Sequence, residues 1–93
     1  MRMAMTAVWL KIEEQRAVQT LLEAVGKLGC VEGDVTLDFS SVHRIDSSGL
    51  RVMEEFVGEA DDKGVKVVLC GVSVGVYKVL KQVKLASRFV FSS

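Results

Sequence analysis

The chain has 93 residues, 49% of them hydrophobic, with twelve basic and twelve acidic side chains and a formal net charge of zero. That length makes one small domain, which buries roughly 60–65% of its unfolded surface, enough to fold without staples and too little for a second core. The charge balance removes the basic excess that nucleic-acid and anionic-membrane binders use, so neither partner is expected.

Two cysteines, Cys30 and Cys70, and a single histidine, His43, lack metal-ligand spacing. No metal, cofactor or disulfide framework is therefore expected, and the thiols read as free in a cytoplasmic protein. Cys70 reads as a small buried hydrophobe within Val67-Val68-Leu69-Cys70. No run reaches the ~18 apolar residues of a membrane helix, because Lys66 and Ser73 interrupt the longest one. Residues 1–10 have a loose likeness to a signal peptide, but Lys11, Glu13 and Glu14 follow with no small-residue cleavage site. They are read as a strand entering the domain.

Residues 6–12 mix Thr6, Val8, Trp9, Leu10 and Ile12 in a run too short for a helix, which predicts a strand. From Glu14 to Lys27 the apolar positions Ala17, Val18, Leu21, Leu22, Val25 and then Leu28 recur at helical spacing, and Gly29 supplies the stop. Glu32-Gly33-Asp34 reads as a turn before the alternating strand Val35-Thr36-Leu37-Asp38-Phe39. A short loop leads to a second helix over residues 47–62, closed by Lys63-Gly64.

Val65 to Leu69 carries too many apolar side chains for a strand with one wet face, which predicts a central parallel strand. A last helix over about residues 75–84 uses Val76, Val79, Leu80 and Val83, and Phe89-Val90-Phe91 reads as a terminal strand. Alternating strands and helices joined by right-handed crossovers predict an α/β fold, a single domain over residues 1–93 with a small mixed or parallel sheet flanked by helices.

Chemistry concentrates in Asp46-Ser47-Ser48-Gly49-Leu50, between the Val35–Phe39 strand and the second helix. The first-turn N–H groups of a helix lack intrahelical partners and the macrodipole favours anions there, so Asp46 or Ser47 can cap it. A phosphoryl group on Ser47 is well placed at such an end. His43, Asp46, Ser47 and Ser48 lie too close in sequence for triad geometry, and no strained G-x-S-x-G turn encloses Ser47 or Ser48, so a hydrolase is not expected. Phosphate-binding glycine motifs are absent, and Gly71-Val72-Ser73-Val74-Gly75 reads as a plain turn. On the second helix the apolar band includes Val52 and Phe56 beside Met53 and Val57, wide enough to predict an exposed edge next to Ser47. Charge also divides: Lys78, Lys81, Lys84 and Arg88 lie toward the C-terminus, whereas the second helix carries Glu54, Glu55, Glu59, Asp61 and Asp62.

These residues carry a resemblance. Asp46-Ser47-Ser48-Gly49-Leu50, with the strand before it and the helix, Lys63-Gly64 and apolar strand after it, resembles the STAS domain of anti-sigma factor antagonists over about residues 8–91. The resemblance implies a non-enzymatic bacterial module in which Ser47 is phosphorylated by an anti-sigma factor that is also a serine kinase, and restored by a phosphatase. The unmodified form then binds the kinase and frees a sigma factor, so transcription is regulated by partner switching. It implies a partner surface of Asp46, Ser47, Ser48, Gly49, Arg51, Val52 and Phe56.

Two departures stand out. Family members begin with two strands joined to a Gly-Glu-Leu-Asp-like turn, whereas this chain has one strand and Lys11-Ile12-Glu13-Glu14-Gln15, with Glu14 in place of the acid. The Gly-Leu usual after the last helix appears as Lys84-Leu85. A monomer is expected, or a weak homodimer through the open edge at residues 6–12. The alternative role is an accessory subunit of a lipid-transport ABC system, docking on the ATPase without phosphorylation.

Overall fold

Apolar residues at period two in the strands and at period 3.6 in the helices must share one interior, and their chain order decides how. The computed structural model describes residues 5–92, and for residues 5–7 and 30–32 the backbone alone. Strand β1 (Met5–Glu13) leads through a 3-10 turn into α1 (Ala17–Lys27). Strand β2 (Val31–Ser41), helix α2 (Ser47–Asp62), strand β3 (Lys66–Cys70), helix α3 (Val74–Gln82) and strand β4 (Val90–Ser92) follow.

The four strands form a parallel sheet in the order β1-β2-β3-β4. Every crossover thus steps one strand in the same direction, and right-handed crossovers place the helices on one face. That face is the core. Ile12, Val35, Leu37, Phe39, Val67 and Leu69 point into it from the sheet, and meet Leu21 of α1, Met53, Phe56 and Val57 of α2, and Val76 and Leu80 of α3. Full burial of each such side chain contributes about 1.5–3 kcal/mol before the entropy of ordering is counted.

The structure corrects several sequence expectations. Strand β3 is central and parallel, but its apolar content does not reflect two covered faces. Val67 and Leu69 are buried, while Val68 and Cys70 are half-buried on a face that no described element covers. Burial still pushes the Cys70 thiol above its ordinary pKa, with the nearby Asp38 carboxylate adding to it.

Residues 32–34 form no turn. They lie within β2, where Met5 pairs with Val31 and Ala7 with Asp34, so β2 carries one extra residue. Gly33, at φ 127°, lies in this bulge, and the glycine that marks turns in a sequence marks bulges equally well. The first helix begins at Ala17 rather than Glu14. Helix α3 ends early at Gln82, closed by Leu85 N–H donating to the Leu80 carbonyl at 2.9 Å. Lys84 there adopts φ 64°, the left-handed conformation that normally falls to glycine. The substitution seen in Lys84-Leu85 therefore keeps the turn at some backbone strain.

Candidate functional site

Helix α2 starts beside the C-terminal end of β2, after the irregular residues 42–46. Val42 N–H closes onto the Phe39 carbonyl at 2.9 Å, which turns the chain out of the sheet. Asp46 is the N-cap, in extended conformation, and its carboxylate accepts the Gly49 N–H at 2.8 Å. Its carbonyl accepts the Leu50 N–H at 2.9 Å. Of the two capping candidates in the sequence, the structure selects Asp46, and Ser47 takes the first helical position.

The loop is held from outside. The Glu14 carboxylate accepts the backbone N–H of His43 at 2.7 Å and of Arg44 at 2.8 Å. Those two bonds, with the positive charge of Arg44 as a smaller influence, hold the Glu14 carboxyl below its ordinary pKa. Glu14 thus anchors the segment leading to Asp46. The sequence marks Glu14 but not its partners, because backbone N–H groups 29 and 30 residues away leave no trace in side-chain pattern.

Gly49 is buried, and a Cβ there would lie 2.8 Å from Cγ1 of Ile45. Its lack of a side chain admits a neighbour from its own chain. Asp46, Ser47, Ser48 and Arg51 are exposed together on the first turn and a half of α2. Ser47, Leu50 and Arg51 share one helix face by their spacing, and that face lines a shallow groove closed on its other side by Val83 and Leu85. A second concavity, between Glu14–Gln19 and Arg44–Asp46, flanks the cap on its other side.

The expected exposed edge is not there. Phe56 is fully buried and Val52 is 8% exposed, so both belong to the core beneath the site and offer no surface of their own. What sequence reasoning missed is the opposite wall: Val83, 46% exposed, faces the groove across from Leu50, and only the return of α3 beside α2 brings it there. Among the described residues no group of three or more His, Cys, Asp or Glu side chains is arranged to hold a metal, and no helix is long and apolar enough to cross a membrane.

This geometry can be set against known proteins. A solved sulfate transporter family protein from Wolinella succinogenes is similar in structure, with a TM-score of 0.78 and 21% identity over 91% of this chain and 75% of that one. A candidate anti-sigma factor antagonist from Thermotoga maritima is similar as well, with a TM-score of 0.75 and 18% identity over 94% of this chain and 80% of that one. Both likenesses establish the fold. No curated protein shows significant sequence similarity to the chain. The family model of the STAS domain matches residues 6–93, and the chain belongs to the STAS domain family.

Proposed function

We propose that the chain is a non-enzymatic binding module of the anti-sigma factor antagonist kind, acting in the bacterial cytoplasm and switched by phosphorylation of Ser47. The kinase would be the anti-sigma factor itself, and a phosphatase would restore the hydroxyl. One observation carries the reading: Asp46 caps helix α2, so the exposed Ser47 hydroxyl is not needed to hold the helix start. A phosphoryl group there adds about −1.5 to −2 charges at neutral pH, next to free N–H groups and the positive end of the dipole. Arg51 lies one turn further on the same face and supplies a counter-charge. The fold survives modification; the docking surface becomes negative.

That surface consists of Asp46, Ser47, Ser48 and Arg51, with half-buried Leu50 as its apolar centre. Gly49, Val52 and Phe56 support it from below rather than touching a partner. Loss of one well-packed charged contact in such an interface costs roughly 2–5 kcal/mol, or tens- to thousands-fold in affinity.

The test uses Ser47→Ala, Ser47→Asp and Ser48→Ala with the candidate kinase and ATP, weighed by mass spectrometry. Phosphate is expected on wild type and Ser48→Ala, and none on Ser47→Ala. Ser47→Ala should bind the kinase constitutively, and Ser47→Asp should fold normally and bind weakly. Unmodified wild type that binds an ATPase subunit tightly would replace this reading with the ABC-transport one.

A further inference from the structure

The sheet has a second face, and it carries a pattern. Parallel sheets are ordinarily covered on both sides, yet here the helices take one side only. On the other, residues at matching register form a row across all four strands: Trp9, Thr36, Val68 and Val90. Trp9 is 60% exposed and Val90 42%, so the row has an apolar side chain at each end. Two residues toward the strand starts, Asp34 and Lys66 stand side by side on β2 and β3; two residues the other way, Lys11, Asp38 and Cys70 form the next row.

We infer that this open face, centred on the Trp9–Val90 row, is a self-complementary docking surface for a second copy of the chain. In the aligned packing of two sheets the strands stay within about 30° of each other, and a two-fold axis centred on the row then runs either across the strands or along them. An axis across the strands sets Asp34 of one copy against Asp38 of the other, twice, and repels. An axis along the strands, between β2 and β3, sets Asp34 against Lys66 of the second copy, twice. The same axis lays Trp9 over Val90 and Thr36 over Val68, closing both apolar ends. Asp38, which then faces Cys70, keeps Lys11 beside it at the same register on β1. Isologous pairing of this kind needs one patch complementary to itself, and the face supplies it in charge and in the placing of its apolar ends.

A dimer held by two charge pairs and two apolar ends is expected to be weak and concentration-dependent. It lies on the opposite side of the sheet from the helices that carry Ser47, and it stands whether or not Ser47 is phosphorylated.

The test is sedimentation equilibrium of the full chain from about 10 µM to about 1 mM, read together with the emission of Trp9, the only tryptophan in the sequence. A monomer–dimer equilibrium is expected, with emission shifting to the blue as dimer forms. Asp34→Lys, on a central strand and away from both sheet edges, should weaken association at least about tenfold by placing like charges together. Adding Lys66→Asp to it should restore association, while thermal melts confirm that each variant is folded. A chain monomeric throughout leaves the face to some other occupant and overturns the inference. So does a dimer whose Trp9 emission stays that of an exposed indole, which points to edge pairing through β1, or a double variant that fails to recover.

Discussion

Helices α2 and α3 begin at the same end of the sheet, each after a parallel strand, and each has its own cap. Asp46 accepts from Gly49 N–H at 2.8 Å, and Ser73 accepts from Val76 N–H at 3.2 Å. The connections leading to them are built differently. Between β3 and α3 the turn is short, and Gly71 at φ 66° makes it, with Ser40 occupying the space a Cβ would need. Between β2 and α2 none of residues 42–46 takes a positive φ, and the path is fixed by the Glu14 carboxylate reaching over from the β1–α1 turn. The path into α3 turns on a left-handed glycine and the path into α2 on a clamp from a distant loop. The proposed switch lies at the clamped one, where position and charge depend on a neighbouring loop as well as on the helix.

Gly71→Ala should break the path into α3 with the largest effect. The new Cβ would sit 2.9 Å from Ser40 Cβ and 3.0 Å from Ser40 N, and the left-handed φ penalises any side chain. Left-handed backbone and overpacking together cost about 2–4 kcal/mol, which a denaturant titration measures. Gly49→Ala attacks the clamped start more mildly, because the atom in the way is Cγ1 of half-buried Ile45 rather than backbone. A loss of about 1–3 kcal/mol is expected, with partner binding falling only as folding does. Gly58→Ala, in the middle of the same helix with nothing within 4 Å of its Cβ, should instead stabilise by about 0.5–1 kcal/mol. Equal gains at positions 49 and 58 would remove Ile45 as the reason for Gly49.

The same contrast explains what the sequence discloses. Helix α2 is legible over about residues 47–62, with Asp46 and Ser47 both open as its cap, because its start and its Lys63-Gly64 stop are local signals. Strand β3 was legible as apolar and parallel, yet Val68 did not reveal that its face is open, because an apolar side chain waiting for a partner looks like one already buried. Phe56 and Val52 failed in the reverse direction. A band wide enough to suggest an exposed edge is wide because α1 and the sheet both pack against it. At the site, Asp46, Ser47, Ser48 and Arg51 could be read from the motif and its spacing. The clamp by Glu14 and the wall at Val83 could not, since each joins segments some 30 residues apart that only the finished fold brings together.

The smallest expected effect is also the most specific to the clamp. Two backbone N–H groups hold the Glu14 carboxyl below its ordinary pKa, so folding favours its ionised form. A group whose folded-state pKa is depressed contributes its stability in full above the unfolded pKa, and loses it as pH falls through the folded value. Both N–H groups donate to Oε1 of Glu14, so Glu14→Gln keeps the accepting oxygen but removes the charge that strengthens both bonds. Wild type should therefore melt above Glu14→Gln at neutral pH, and the gap should narrow as the solution is acidified below the ordinary carboxylate range. Amide exchange at His43 and Arg44 gives the site-resolved version: at neutral pH both should exchange faster in Glu14→Gln, while the Gly49 amide, capped by Asp46, stays protected. A melting gap that is the same at both pH values would leave the clamp's charge without a part in holding the loop that leads into α2.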